Sequence, residues 1–97
     1  MTKGYWIGHI DVHDLDSYRP YMAAAASSIS AFGGRYLVRG GQNKVAEGSA
    51  RSRHVVVEFD SYDQAQACYN SDQYQAAKAM RTPYSSGDIV IIEGHDG

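Results

Sequence analysis

Cysteine occurs once in this 97-residue chain and proline twice. Cys68 alone cannot close an intramolecular disulfide, so the fold is expected to hold without one, and a reducing cytoplasm is the expected location. No apolar run approaches the roughly 18 residues needed to cross a bilayer, and no charged-then-apolar leader opens the chain, so no membrane partner is expected. Charge of one sign is lacking too. Nine basic and eleven acidic residues give a formal net charge of −2 and are scattered along the chain. Without a basic block to neutralise phosphates, nucleic acid is not an expected partner either. The length leaves no room for a second domain: residues 1–97 are read as a single domain burying about 65% of the surface its unfolded chain exposes.

Glycine, at ten, and tyrosine, at eight, are abundant. Tyrosine suits wet pockets and interfaces, because its ring is apolar and its tip is not. The longest run of β-formers is residues 53–60, closed by Ser61 and Asp63. Strand alternation puts Val55, Val57 and Phe59 on one face and His54, Val56 and Glu58 on the other. Residues 4–12 alternate as cleanly, with Trp6, Gly8, Ile10 and Val12 opposite Tyr5, Ile7, His9 and Asp11. Gly8 in that apolar row predicts close approach of another backbone, such as a covering helix.

From Leu15 the apolar groups Leu15, Tyr18, Met22, Ala25, Ile29 and Phe32 step by three and four, the stripe of a helix that Gly33-Gly34 ends. If Asp16 caps this helix, Pro20 falls in the tolerant first turn; if Asp14 caps it, Pro20 removes an internal hydrogen bond. Residues 35–39 read as a short strand, Gly40-Gly41 as a turn, and residues 42–47 as an irregular edge strand. Ser61-Tyr62-Asp63-Gln64 has the form of a capping box. The helix it opens is interrupted at Asn70-Ser71 and resumes to about Arg81, with Thr82-Pro83 as its stop. Residues 88–93 form the last strand, with Val90 and Ile92 assigned to one face and Ile89, Ile91 and Glu93 to the other.

The order strand, helix, strand, strand, helix, strand is the ferredoxin-like βαββαβ pattern of an α+β fold: a four-stranded antiparallel sheet with the helices on one face, the first and third strands central. The opposite face is then assigned Tyr5, Ile7, His9, Leu37, Arg39, Val56, Glu58, Ile89, Ile91 and Glu93. Its five large aliphatic groups form a patch larger than monomers usually expose, and a second copy, a homodimer packed sheet to sheet, is the economical cover.

The segments Leu37-Val38-Arg39-Gly40-Gly41, Glu47-Gly48, the strand at 53–59, Cys68-Tyr69-Asn70-Ser71 with Tyr74-Gln75-Ala76, and the closing 90–94, in this order and spacing, resemble the domain-of-unknown-function 1330 family. These are small bacterial proteins of the dimeric α/β-barrel superfamily, and the resemblance spans essentially the whole chain. It implies a ferredoxin-like dimer and no particular reaction. Similar architectures include cofactor-free oxygenases and isomerases, but a shared fold does not transfer chemistry.

The candidate chemistry follows from these assignments. Arg39, His9 and Glu58, placed together on the open face, are read either as a structural ion pair with His9 stacked beside it or as a ligand site. In the second case Arg39 holds a carboxylate or enolate and His9 or Glu58 moves a proton. Tyr69 and Tyr74 are candidates for a ligand mouth, and Glu93 for the same space. His9-x-Asp11-x-His13 has metal-like spacing, but His13 falls in the turn before the helix; Glu93 and His95 repeat the spacing near a terminus, and no metal or cofactor is expected. Cys68 reads as a buried, inert thiol. Gly40-Gly41 lacks the Gly-Lys-Ser of a phosphate loop. The expected function is binding of a small anionic or carbonyl-bearing organic ligand near Arg39. The alternatives are a cofactor-independent monooxygenase- or isomerase-like enzyme and a structural module with no ligand.

Overall fold

The structure is a computed structural model that describes residues 2–96. Strand β1 (Gly4–Val12) leads into helix α1 (Leu15–Ala31), followed by β2 (Arg35–Arg39), β3 (Arg53–Phe59), α2 (Tyr62–Asn70), α3 (Asp72–Arg81), a single 3-10 turn (Thr82–Tyr84) and β4 (Ser85–Glu93). The strands form one antiparallel sheet in the order β2-β3-β1-β4, so β1 and β3 are central as the βαββαβ order implied. All the helices lie on one face. The core beneath them joins Trp6, Val57 and Phe59 of the sheet to Ala25 and Ile29 of α1, Ala65 and Cys68 of α2 and Tyr74 of α3.

Local chemistry sets the helix ends. Asp14 caps α1 through the Ser17 amide, which leaves Pro20 inside the helix and the Asp16 carbonyl without its usual intrahelical donor. Ser61 caps α2 by accepting from the Gln64 amide. The returning half of the capping box does not form: Gln64 Nε2 donates instead to the Phe32 carbonyl at 3.0 Å, tying the start of α2 to the end of α1. Ser71 ends α2 and caps α3, and this is the interruption read at Asn70-Ser71.

Three expectations about strands need correction. Residues 42–47 form no strand; they are an exposed loop pinned by Asn43, whose side chain donates to the Gly41 and Ser52 carbonyls. β4 begins at Ser85, three residues earlier than expected, and its phase is reversed. Ile91 stands opposite Trp6 and Ile89 opposite Gly8, both packed on the core, while Val90 and Ile92 face away from the helices, 51% and 45% exposed. In β2 the register slips between Tyr36 and Val38, a bulge that leaves Leu37 unpaired. Tyr36 therefore sits under the helices beside Val57, Val38 joins Val56 on the open face, and Arg39 returns to the helix face beside Val55.

The open face still carries five aliphatic side chains, though three differ from those expected. Val38, Val56, Ile7 and Val90 form one row across all four strands, with Ile92 in the next row beside Tyr5, Glu58 and Arg35. Among the described residues no helix is long and apolar enough to cross a membrane.

Candidate functional site

The helix face has a gap. The row Arg39, Val55, Gly8, Ile89 runs across the sheet with no side chain at Gly8. No helix backbone approaches there: a Cβ on Gly8 would meet the Ile10 side chain at 3.3 Å and that of Ile89 at 3.7 Å. The close-approach reading belongs to Gly4, where a Cβ would run into the backbone of Ser61 and Tyr62. Above Gly8 the missing side chain leaves a cavity between α1 and the sheet. It is floored by Trp6, Gly8, Val55 and Ile89, and Tyr18, Tyr21 and Met22 of α1 and Tyr36, Arg39 and Arg53 surround it. About 40 Å³ is open to the centre of a water-sized sphere, which is room for about three waters.

The lining holds two guanidinium groups and no carboxylate or imidazole. Arg39 Cζ lies 4.2 Å over the Tyr36 ring, and its Nη2 stands 3.5 Å from the Met22 carbonyl. Arg53 lies opposite Ile10 on β1, and its Nε is buried without a hydrogen-bond partner. Tyr21 and Tyr74 share a hydroxyl–hydroxyl hydrogen bond of 2.9 Å, with the Arg81 guanidinium 5.4 Å from the Tyr21 ring. Burial raises the pKa values of Tyr18, Tyr21 and Tyr36 above the ordinary phenol range, opposed at Tyr18 by Arg53 and Arg81 and at Tyr36 by Arg39. All three phenols are therefore neutral at physiological pH and can donate as well as accept.

The residues proposed from sequence are not brought together. Arg39 lines the cavity, whereas His9 and Glu58 stand on the other side of the sheet. His9 Nδ1 and His54 Nδ1 share a hydrogen bond of 2.8 Å between directly opposed strand positions, one ring donating and the other accepting. Glu58 accepts from the Tyr5 hydroxyl at 2.9 Å and from Arg35, its cross-strand neighbour, so Arg35 takes the ion-pair role assigned to Arg39. Both partners hold the Glu58 carboxyl below the usual carboxylate range, the Tyr5 hydrogen bond most.

Of the other candidates, Tyr74 is fully buried in the core, 4.8 Å from Trp6 and 5.3 Å from Tyr69 between ring centroids. It supports the cavity wall through Tyr21. Tyr69 borders a second recess, with Lys78 and Arg81. Glu93 lies opposite Gly4 at the end of β1, accepts from Thr2, and is remote from both arginines. The metal-like spacing disperses: His9 pairs with His54, Asp11 with Arg51 and the Ser52 amide, and His13 with Ser86.

Sequence reasoning missed Arg53, Tyr18 and Tyr21 as site residues. A signal for Arg53 was present, because it shares the parity of Val55 and Val57, and a charged residue on an otherwise apolar strand face needs a reason.

The model of the family described as domain of unknown function (DUF1330) matches residues 3–95. The chain belongs to that family. None of the curated proteins matches it in sequence. Among solved structures, a protein of unknown function from Rhodopseudomonas palustris superposes with a TM-score of 0.77 at 10% identity, covering 99% of this chain and 85% of the other. A dimeric ferredoxin-like protein of unknown function from Jannaschia sp. CCS1 gives 0.68 at 14% identity, covering 96% and 98%. SnoaB, a cofactor-independent oxygenase from Streptomyces nogalater, gives 0.67 at 8% identity, covering 100% and 97%. At these identities the likeness establishes the ferredoxin-like fold of this DUF1330 protein and no more.

Proposed function

We propose that this DUF1330 protein is a homodimer, each subunit of which binds a small organic anion in the cavity between α1 and the sheet, with Arg39 as an anchor. One observation carries the ligand reading: in a chain whose net charge is −2, the cavity lining gathers two arginines and three neutral phenols and includes no carboxylate. Such a lining offers donors and positive charge, which suits carboxylate or enolate oxygens. The dimer reading is supported by the apolar row across the open face and by the dimeric state named for the Jannaschia, Thermobifida fusca and Bacteroides fragilis ferredoxin-like proteins.

The test is titration of purified protein with small carboxylic acids, read by the fluorescence of Trp6, the single tryptophan, which forms part of the cavity floor. Saturable binding that Arg39→Gln weakens about tenfold or more supports the reading. Absence of binding by every acid tried leaves the alternative of a structural module.

The second reading, a cofactor-independent oxygenase- or isomerase-like enzyme, is favoured by the superposition on SnoaB. A base is its difficulty. His9 and Glu58 are separated from the cavity by the sheet, so in this chain a proton would have to leave the substrate through a tyrosine or without a side-chain base. Oxygen consumption on adding an enolisable or phenolic ligand that binds would favour this reading.

A further inference from the structure

We propose that the cavity is a site for a monocyclic aromatic carboxylate whose charged oxygen is seated on Arg53 Nε, the aromatic ring lying over Gly8. This deepens the anion-binding reading and rests on it.

Arg53 Nε is the one buried side-chain nitrogen or oxygen among the described residues that lacks a hydrogen-bond partner. A buried cationic donor is expected to have an acceptor, and no acidic side chain lines the cavity to provide it. The position of the guanidinium is itself built. Gly40 has a φ of +67°, and any Cβ there would run into Arg53 Nη1, so the bare backbone of the turn after β2 is what admits the head group. Gly40 is held in turn by its amide, which donates to the His54 carbonyl at 2.9 Å. Arg39, one residue earlier, brings a second guanidinium to the same rim, its plane resting on Tyr36. Two arginines lining one cavity offer donors to both oxygens of a carboxylate.

The remaining surfaces define the rest of the ligand. Trp6, Tyr18, Tyr21 and Tyr36 supply aromatic walls, and Gly8 supplies a flat floor where a side chain would otherwise stand. The resting space of about 40 Å³ is sized for about three waters, so the walls must give to seat one ring, and fused polycycles are excluded. Raised phenol pKa values add neutral hydroxyls that can bond ring substituents.

Benzoate is the probe, compared with benzamide, cyclohexanecarboxylate and acetate, each titrated into the full chain and followed by Trp6 emission and calorimetry. Benzoate is expected to bind about tenfold or more tightly than any of the three, because each lacks the charge, the planarity or the ring. Arg53→Lys discriminates the role of Nε: it keeps a cation but puts a methylene near the Nε position, and it is expected to lower benzoate affinity about tenfold. Gly40→Ala, which keeps Arg53 but displaces its head group, is expected to do the same. Circular dichroism confirms that both variants are folded, and Arg19→Gln, on the exposed face of α1, is the control expected to bind as the parent does. If Arg53→Lys and Gly40→Ala bind benzoate like the parent while Arg39→Gln does not, the anion sits on Arg39 alone. That overturns this inference and leaves the broader reading intact. If cyclohexanecarboxylate or acetate binds as well as benzoate, the aromatic assignment is wrong; if no acid binds at all, both fall together.

Discussion

Cys68 has no exposed surface, its Sγ lies 3.7 Å from the Ser28 carbonyl as a weak donor, and burial pushes its thiol up to about 11. The thiolate is the reactive form, so native protein at pH 8 is expected to react with a disulfide reagent at least about a hundredfold more slowly than unfolded protein. The check is the rate of thiolate release with and without denaturant. Glu58 and Asp11 act at the other end of the pH scale. Glu58 is held down by the Tyr5 hydroxyl and Arg35, and Asp11 by the Ser52 amide and Arg51, so both have folded-state pKa values below their unfolded ones. Their contribution is complete above the unfolded carboxylate range near 4 and is lost as pH falls through the depressed folded values. Melting temperature should therefore fall between about pH 5 and pH 3, and fall less steeply in Glu58→Gln/Asp11→Asn. Thermal melts across that range measure both slopes. Gly8 offers the opposite kind of test. A methyl group there meets the Ile10 and Ile89 side chains at 3.3 and 3.7 Å and the Asp88 carbonyl at 3.9 Å, so Gly8→Ala should fold with equal stability or up to about 1 kcal/mol more, while narrowing the cavity and weakening acid binding. Denaturant midpoints set against Trp6 titrations separate the two effects.

At the scale of elements, phase decides which side of the sheet each side chain serves. In β1 and β3 polar and apolar residues alternate, so their two faces could be read from the residues alone. β4 offers no such contrast: Ile89, Val90, Ile91 and Ile92 are aliphatic at both parities, and only pairing with β1 selects the first and third for the core. The bulge in β2 was equally invisible, because five residues of an edge strand carry no mark of where the ladder skips. That one slip moves Arg39 from the company of Glu58 to the cavity, which is why its cavity neighbours could not be read from the sequence. Helix termini were more legible, since Ser61 and Ser71 each accept from the amide three residues on. The bulge makes its own prediction. Deleting Leu37 removes the extra residue and leaves a regular ladder in which Val38 still meets Val56 and Arg39 still meets Val55, so acid binding should stay within about twofold of the parent, with the helical circular dichroism signal kept. A loss as large as that of Arg39→Gln would mean that the strand re-forms its slip one residue along and turns Arg39 to the open face.

For the whole molecule, the row of Val38, Val56, Ile7 and Val90 crosses a face that no segment of the described chain covers. Sedimentation is expected to return about twice the 10.6 kDa chain mass. Val56→Lys, which puts a charge in the middle of that row, is expected to shift the equilibrium toward the single chain. A parent protein that sediments as one folded chain at micromolar concentration would remove the dimer. The sheet has a second unfinished boundary. β4 is an outermost strand of nine residues whose far side pairs with nothing described, and its centre is four consecutive β-branched residues. Asp88 and Glu93 bracket that stretch as electrostatic gatekeepers against cross-β growth. Neutralising both, as Asp88→Asn/Glu93→Gln, should convert a well-behaved solution into one that seeds thioflavin-positive fibrils on prolonged agitation. Shelf life would then be governed by two acidic groups that lie outside the cavity.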